Sequence, residues 1–459
     1  AVIHPYLNGL SGVQVRDEEA GAQWKSPVRR GEVVHVVDLT AGRPPPVIRV
    51  AIPRGVADAF ARHERWADLR QCPVAHNPRY GGFWVVSGYD EVAEVSRDAE
   101  TFSSRHAAES DDGVDYLGIA GVPRPPAVPT AGIAEVEGPL HHALRRVLNA
   151  FLVPAAVARM EPLMEATTTW FLDQRIESGA IDLVLDLANP VPAILTMELV
   201  GLPHDGWHHY AELFHGTVAH RPGSPEFDRA VANIPAMLAE LRDEVGTRRR
   251  APRDDLLTRL VEMEVDGGRR LTDDELVSVL WNLVGGGLDT TTSLTSLTLH
   301  HLDRHPELRR RLIDEPGLLP SATDEFLRYF SVNETLTRTV TNDVELGGQR
   351  LLRGDHLMLS WLSANRDERA FERPDEVVLD RAINPHVAFG VGPHRCIGMH
   401  MARTMFEVLI RQVLTHIPDY RVDRAATQFY AGNPELNGIV RMPATFTPGP
   451  VAGASERPF

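Results

Sequence analysis

Phe389-Gly-Val-Gly-Pro-His-Arg-Cys-Ile-Gly398 runs directly into a long amphipathic stretch, Gly398 to His416. Apolar residues recur in that stretch at spacings of three and four, the signature of a helix. Three glycines in the preceding ten residues describe a tight loop feeding a helix N-terminus. Glycine reaches backbone angles closed to other residues and lets another group approach the chain closely. Cys396, at the tip, would lie near free amide donors and the positive end of the helix dipole, both of which favour a thiolate. Such a tip suits a flat macrocycle laid across it. Taken alone, the segment leaves a second reading open, because a lone cysteine is commonly an inert core residue.

The rest of the chain narrows the chemistry. Cys72 and Cys396 are the only cysteines, so neither a disulfide framework nor a zinc site of paired cysteines is available. The 20 histidines contain no H-E-x-x-H, which argues against a metal hydrolase. A formal net charge of -16 excludes a general nucleic-acid binder, which needs a basic surface to release counterions. With 43% hydrophobic and 24% charged residues the composition is that of an ordinary globular protein. No uninterrupted apolar run reaches the roughly 18 residues of a membrane span, and Ala1-Val-Ile-His-Pro-Tyr6 lacks the features of a signal peptide. The expectation is a cytoplasmic protein that binds neither membrane nor nucleic acid.

Periodicity predicts helices over 141–152, 155–178, 190–200, 225–247, 272–301, 306–313, 321–330 and 398–416, with short strands near 83–87, 344–346, 357–360 and 439–442. Residues 106–137 read as a long irregular loop of the kind that is usually functional or disordered. The fold class is therefore mainly α with small β-sheets, without the alternating rhythm of a doubly wound sheet. Residues 1–55 read as an N-terminal arm, 56–445 as one domain and 446–459 as a tail.

Val284-Gly-Gly-Gly-Leu-Asp-Thr-Thr-Thr292 interrupts the longest helix. Each glycine in a helix interior costs about 1 kcal/mol relative to alanine. Three in a row imply either close packing against a neighbouring helix or a groove kept open beside the backbone. Asp289 and Thr290 would place an acid and a hydroxyl at that groove, a pair able to pass protons.

The Cys396 segment resembles the haem-binding loop of the cytochromes P450, matching at Phe389, Gly390, Gly392, His394, Cys396 and Gly398. The glycine segment resembles that family's distal helix at Gly286, Gly287, Asp289, Thr290 and Thr291. His141 and Arg145, with Arg338 and His394, resemble its ligands to the haem propionates, His142 and Arg146 being rivals one register along. Glu325-Phe-Leu-Arg328, followed by Arg381, resembles its buried glutamate–arginine core. The resemblance covers roughly residues 75 to 445, with Glu137-Gly-Pro-Leu-His141 standing where the family often has Asp-Pro-Pro-x-His.

The resemblance implies the cytochrome P450 fold and haem b, with Cys396 as axial ligand to the iron. His141, Arg145, Arg338, His394, Phe389, Gly390, Gly398 and Gly286 would surround the cofactor, and Thr290 and Asp289 would be catalytic. The implied reaction is insertion of one atom of O2 into a small molecule. Two cysteines cannot hold an iron–sulfur cluster, so electrons would come from separate proteins, by resemblance a ferredoxin and ferredoxin reductase; Arg145, Arg146, Arg395, Arg403 and Arg411 either form a basic docking face for them or serve the haem and local ion pairs. A peroxide-driven peroxygenase and a non-catalytic haem sensor are the rival functions. Asn282, Gly286, Val332 and Asn333 are expected in the substrate pocket, with Glu334 nearby. The polarity of Asn282, Asn333 and Glu334 points, if they face the pocket, to a hydrophobic substrate that carries oxygen, such as a terpenoid, a steroid or a macrolide-like product.

Overall fold

The computed structural model describes residues 63–459, apart from 79–81, 108–109, 123, 125–127, 432–434 and 454–456. The expected arm over residues 1–55 lies outside the described residues. A five-stranded sheet builds one side. Its strands are β1 (Val74–Asn77), β2 (Phe83–Val86), β3 (Phe102–Ser103), β4 (Thr335–Val340) and β5 (His356–Ser360), in the spatial order β1-β2-β5-β4-β3. Only the β2–β5 pair is parallel. Val74, Trp84, Val86, Phe102, Val340, Leu357 and Leu359 bury one face of this sheet in a small apolar core.

The larger core belongs to helices. Those that position the site are α1 (Gly138–Leu152), α2 (Pro190–Val200), α3 (Trp207–Ala219), α4 (Asp273–Arg304), α5 (Leu319–Phe330) and α6 (Met399–His416). The 32-residue α4 starts at a capping box, in which the Thr272 hydroxyl and the Glu275 carboxylate satisfy each other's backbone amides. It then threads through the molecule, packed by α2, α3, α5 and α6. From Thr291 to Asp303 every residue of α4 is buried, so this half of the helix has no solvent face. Fully buried side chains such as Phe326 and Phe406 contribute about 1.5–3 kcal/mol each to holding the layers together.

The expected elements are present, with changes that proline explains. The helix expected over 155–178 is two, Pro154–Ala158 and Glu161–Ile176, and the one expected over 225–247 is also two, Pro225–Ala232 and Ile234–Arg250. Pro162 and Pro235 lack an amide hydrogen and sit in first turns, where none is needed. The loop over 106–137 holds a short hairpin, His106–Ala107 with Tyr116–Leu117, and a helical turn at Gly132–Ala134. Helix α3 and strand β4 were not anticipated from periodicity. The C-terminal segment packs back on the body: Ala452 N–H donates to Asp173 at 2.8 Å, and Phe459 stacks on Phe171. Among the described residues no single helix is long and apolar enough to cross a membrane.

Candidate active site

One cavity lies between α4 and the loop that precedes α6. Its wall includes Cys396, Phe389, Gly390, His394 and Gly398 on one side and Asn282, Gly286, Asp289 and Thr290 on the other. Val332, Asn333, Arg145 and Arg338 complete it, so every expected site residue except His141 faces this space. His141 stands directly behind, its ring 4.5 Å from that of His394.

The loop has the shape anticipated for it. Gly390 and Gly392 take φ of +66° and +76°, which disfavours any side chain there. At Gly392 a Cβ would also fall 2.4 Å from the Ser96 carbonyl oxygen. The Cys396 amide donates to Phe389 O at 2.8 Å and closes the turn. Burial pushes the Cys396 thiol up, against the opposing pull of the Gly398 amide and of Arg145, Arg403 and Arg395. The helix terminus alone thus does not make the thiolate. A metal ion bound to sulfur does so outright.

Around the loop lies a set of donors without acceptors. Arg338 is 5% exposed, makes no ion pair among the described residues, and donates only to the neighbouring Thr337 carbonyl, at 2.7 Å. Burial pulls its guanidinium down to about 10. An unpaired buried cation is costly, so the position calls for an anion. The buried Nε2 of His141 and Nδ1 of His394 also lack hydrogen-bond partners. Burial, with neighbouring positive charge, holds these rings at about 4 and 3 respectively, so both are neutral at pH 7 and each has one N–H to donate. Arg145 reaches the Arg395 carbonyl at 2.9 Å and lines the cavity, whereas the rivals His142 and Arg146 point to the surface. The residues present therefore fit a flat group carrying two carboxylates above a sulfur ligand, which is the donor set a haem requires.

The three glycines of α4 divide between the two readings. A Cβ at Gly285 would meet the Phe214 ring at 2.6 Å, and one at Gly287 would meet Thr196 Oγ1 at 2.6 Å. Those two permit close helix packing. A Cβ at Gly286 would meet nothing within 4 Å, because Gly286 opens onto the cavity. The Thr290 hydroxyl donates to the Gly286 carbonyl at 2.8 Å and leaves its oxygen at the cavity wall. Asp289 is 2% exposed, and both of its oxygens are engaged: Oδ1 with His215 Nδ1 at 2.8 Å, Oδ2 with the Tyr430 hydroxyl. His215 and Tyr430 were not anticipated. The wall also carries Trp281, Phe214, Leu283, Glu435 and Arg124, the last paired with the buried Glu135, and no motif marks them.

The buried core assembles as expected. Glu325 takes both Arg328, at 2.8 and 2.9 Å, and Arg381, at 2.8 and 3.1 Å. Arg328 also donates to the carbonyls of Asn365, Pro374 and Glu376, and Asn365 Oδ1 accepts from the Val387 amide at 2.7 Å. This network pins the irregular chain that delivers Phe389 to the loop. Of the arginines expected to form a docking face, Arg403 pairs with Asp324, and Arg411 pairs with Glu161 and Glu165. Arg146 and Arg395 remain exposed. Among the described residues no group of three or more His, Cys, Asp or Glu side chains is arranged to hold a metal ion.

Comparison with known proteins agrees with this geometry. The family model described as Cytochrome P450 matches residues 226–418. Nocardicin C N-oxygenase of Nocardia uniformis subsp. tsuyamanensis is 33% identical, over 81% of this chain and 92% of its own. A steroid C26-monooxygenase of Mycobacterium tuberculosis is 30% identical, over 85% of this chain and 94% of its own. Among solved structures, a mutant of P450 EryK in complex with erythromycin B superposes with a TM-score of 0.75 at 28% identity, covering 86% of this chain and 98% of that one. With the Cys396 loop, the open Gly286 and the glutamate–arginine core in one molecule, the chain belongs to the cytochrome P450 family and is a haem-dependent monooxygenase.

Proposed function

We propose that the chain uses haem b to insert one oxygen atom from O2 into a hydrophobic, oxygen-bearing small molecule of terpenoid, steroid or macrolide type, with electrons from a ferredoxin and its reductase. The observation that carries this reading is the pairing, across one cavity, of Cys396 with the open Gly286–Thr290 segment, ringed by the unpaired Arg338 and the orphaned nitrogens of His141 and His394. Bound haem supplies the reduction and activation of dioxygen. Cys396 would hold its iron. Arg338, Arg145, His141 and His394 would hold the two propionates, and Phe389, Gly390 and Gly398 would leave room for the ring. Gly286 leaves space for a small molecule against α4. Thr290, hydrogen-bonded to the Gly286 carbonyl, holds a proton at Oγ1 at the cavity wall, and Asp289 resupplies it.

Trp281, Phe214, Leu283 and Val332 form an apolar wall that excludes water from the substrate. Asn282 and Asn333 offer hydrogen bonds to an oxygen function, and the buried Oδ1 of Asn333 has no partner. The named relatives act on or bind nocardicin C, a steroid and erythromycin B. The test is to screen oxygenated terpenoids, steroids and macrolides, beside plain hydrocarbons, for the spectral shift of water displacement. The best compound is then incubated with O2, NADPH, ferredoxin and reductase, or with peroxide. The proposal expects shifts from oxygenated compounds and product with the reductant system. Shifts from hydrocarbons alone refute the substrate class, and product with peroxide alone refutes the electron route.

A further inference from the structure

Beyond the cavity, Asp289 belongs to a buried polar cluster assembled from three distant parts of the chain. His215 comes from α3, Asp289 and Ser293 from α4, and Tyr430 from the turn after the short strand Gln428–Phe429. His215, Asp289 and Tyr430 are 8%, 2% and 1% exposed. His215 Nε2 lies 3.1 Å from the Val440 carbonyl oxygen, which can only accept, so Nε2 carries a hydrogen. His215 Nδ1 lies 2.8 Å from Asp289 Oδ1, and a hydrogen bond there requires a second proton between the two atoms. The Tyr430 hydroxyl donates to Asp289 Oδ2, while its oxygen accepts from Ser293 Oγ at 3.3 Å. Imidazolium with carboxylate, or imidazole with carboxylic acid, contains the same number of protons. In either form the pair stores one proton more than a neutral histidine beside a carboxylate.

We propose that His215 is a positioning residue that keeps Asp289 charged with a transferable proton, with Tyr430 as the clamp that parks the carboxyl away from the cavity. The inference rests on the reading of Asp289 as the group that resupplies Thr290. An isolated carboxylate at neutral pH is a base and has no proton to give. An imidazolium hydrogen-bonded to it supplies the proton that it lacks. When the Asp289 side chain turns toward Thr290, the proton leaves Nδ1 and travels on the carboxyl oxygen. His215 becomes neutral imidazole, and no electrons move. The charged and titratable groups that face His215 are Asp289, Tyr430, Asp182 and His220, and Asp182 is itself 3.8 Å from Arg441. Burial is the largest single influence and opposes the imidazolium, but the charge and hydrogen bond of Asp289, with the Val440 carbonyl and Asp182, together hold His215 above the ordinary value of 6.5.

The test uses the haem-loaded protein and has two parts. In the reduced carbonyl complex, ring resonances of isotope-labelled histidine, assigned by their loss in His215→Asn, should show His215 titrating above 6.5 in the wild type and below it in Asp289→Asn. With the compound that gives the largest shift in the screen above, the fraction of electrons recovered in product should fall as pH rises through that same midpoint. His215→Asn keeps a donor beside Asp289 but cannot carry the proton, so it should lose about tenfold or more in product rate and show no such midpoint. A wild-type His215 that is neutral at pH 6, or a product fraction flat from pH 6 to 9, overturns the proposal without any variant. Full activity in His215→Asn with impaired Asp289→Asn overturns the role of His215 alone. Full activity in Asp289→Asn overturns the underlying proton-relay reading.

Discussion

Replacing Gly285, Gly286 and Gly287 of α4 one at a time by alanine separates their roles. In a helix interior alanine is favoured over glycine by about 1 kcal/mol. At Gly286 nothing lies within 4 Å of the new Cβ, so that gain is realised and Gly286→Ala should be more stable than the wild type by about 1 kcal/mol. At Gly287 the Cβ meets Thr196 Oγ1 at 2.6 Å and Cγ2 at 2.9 Å, both on the packed helix α2. At Gly285 it meets three Phe214 ring atoms at 2.6 to 3.2 Å, and that ring is wedged against Trp281 at 4.9 Å between centroids. Overpacking of this kind costs about 1–3 kcal/mol, which cancels or exceeds the propensity gain. Urea unfolding followed by tryptophan fluorescence should give the midpoint order Gly286→Ala, wild type, then the other two. Gly286→Ala should also weaken the spectral shift of the best screened compound, because its methyl group enters the cavity, while the other two press on Phe214 and Thr196, side chains of the wall itself. Equal stabilisation in all three, or destabilisation by Gly286→Ala, refutes the assignment of the open groove to Gly286.

Other perturbations follow from the same geometry. Arg338→Leu removes the buried cation that waits for an anion, so haem transfer to apomyoglobin should speed up by about tenfold, with the fold retained by circular dichroism; an unchanged transfer rate speaks against a propionate at Arg338. Glu325→Gln leaves Arg328 and Arg381 buried beside a neutral amide and should cost about 3–5 kcal/mol, seen as low yield of haem-loaded protein; a wild-type melting temperature refutes the core role. Burial, aided by His305 and Arg304, pulls buried His301 down to about 3, so it stays neutral in the fold while the unfolded chain takes up a proton below the ordinary value of 6.5. Stability should therefore fall as pH drops from 6.5 toward 3, and His301→Phe should flatten that fall in thermal unfolding; an identical pH dependence in the variant removes His301 from the account.

How much the sequence disclosed depended on whether a feature was local. The thiolate loop was legible because its glycines, His394 and Cys396 are contiguous and their backbone demands are intrinsic. Asp289 and Thr290 were legible for the same reason, and Glu325 with Arg328 lies on one helical face. Helix α3 was missed because nearly all of it from Tyr210 to Ala219 is buried, leaving no polar stripe to mark its period. The partners of Asp289 were illegible in principle, since His215 and Tyr430 stand 74 and 141 residues away and meet it only through packing. Likewise, three identical glycines gave no hint of their division of labour, because Phe214, Thr196 and the cavity decide it. Proline at 162 and 235 did carry the helix breaks, but apolar periodicity continues across both sites.

The most direct measurement is the absorption spectrum of the reduced carbonyl complex of Cys396→Ser. Loss of the thiolate-type band, with the buried Glu325–Arg328–Arg381 core and the wild-type circular dichroism retained, is the expected result. A thiolate-type band that survives unchanged in that variant contradicts the assignment of Cys396 as the ligand to haem iron.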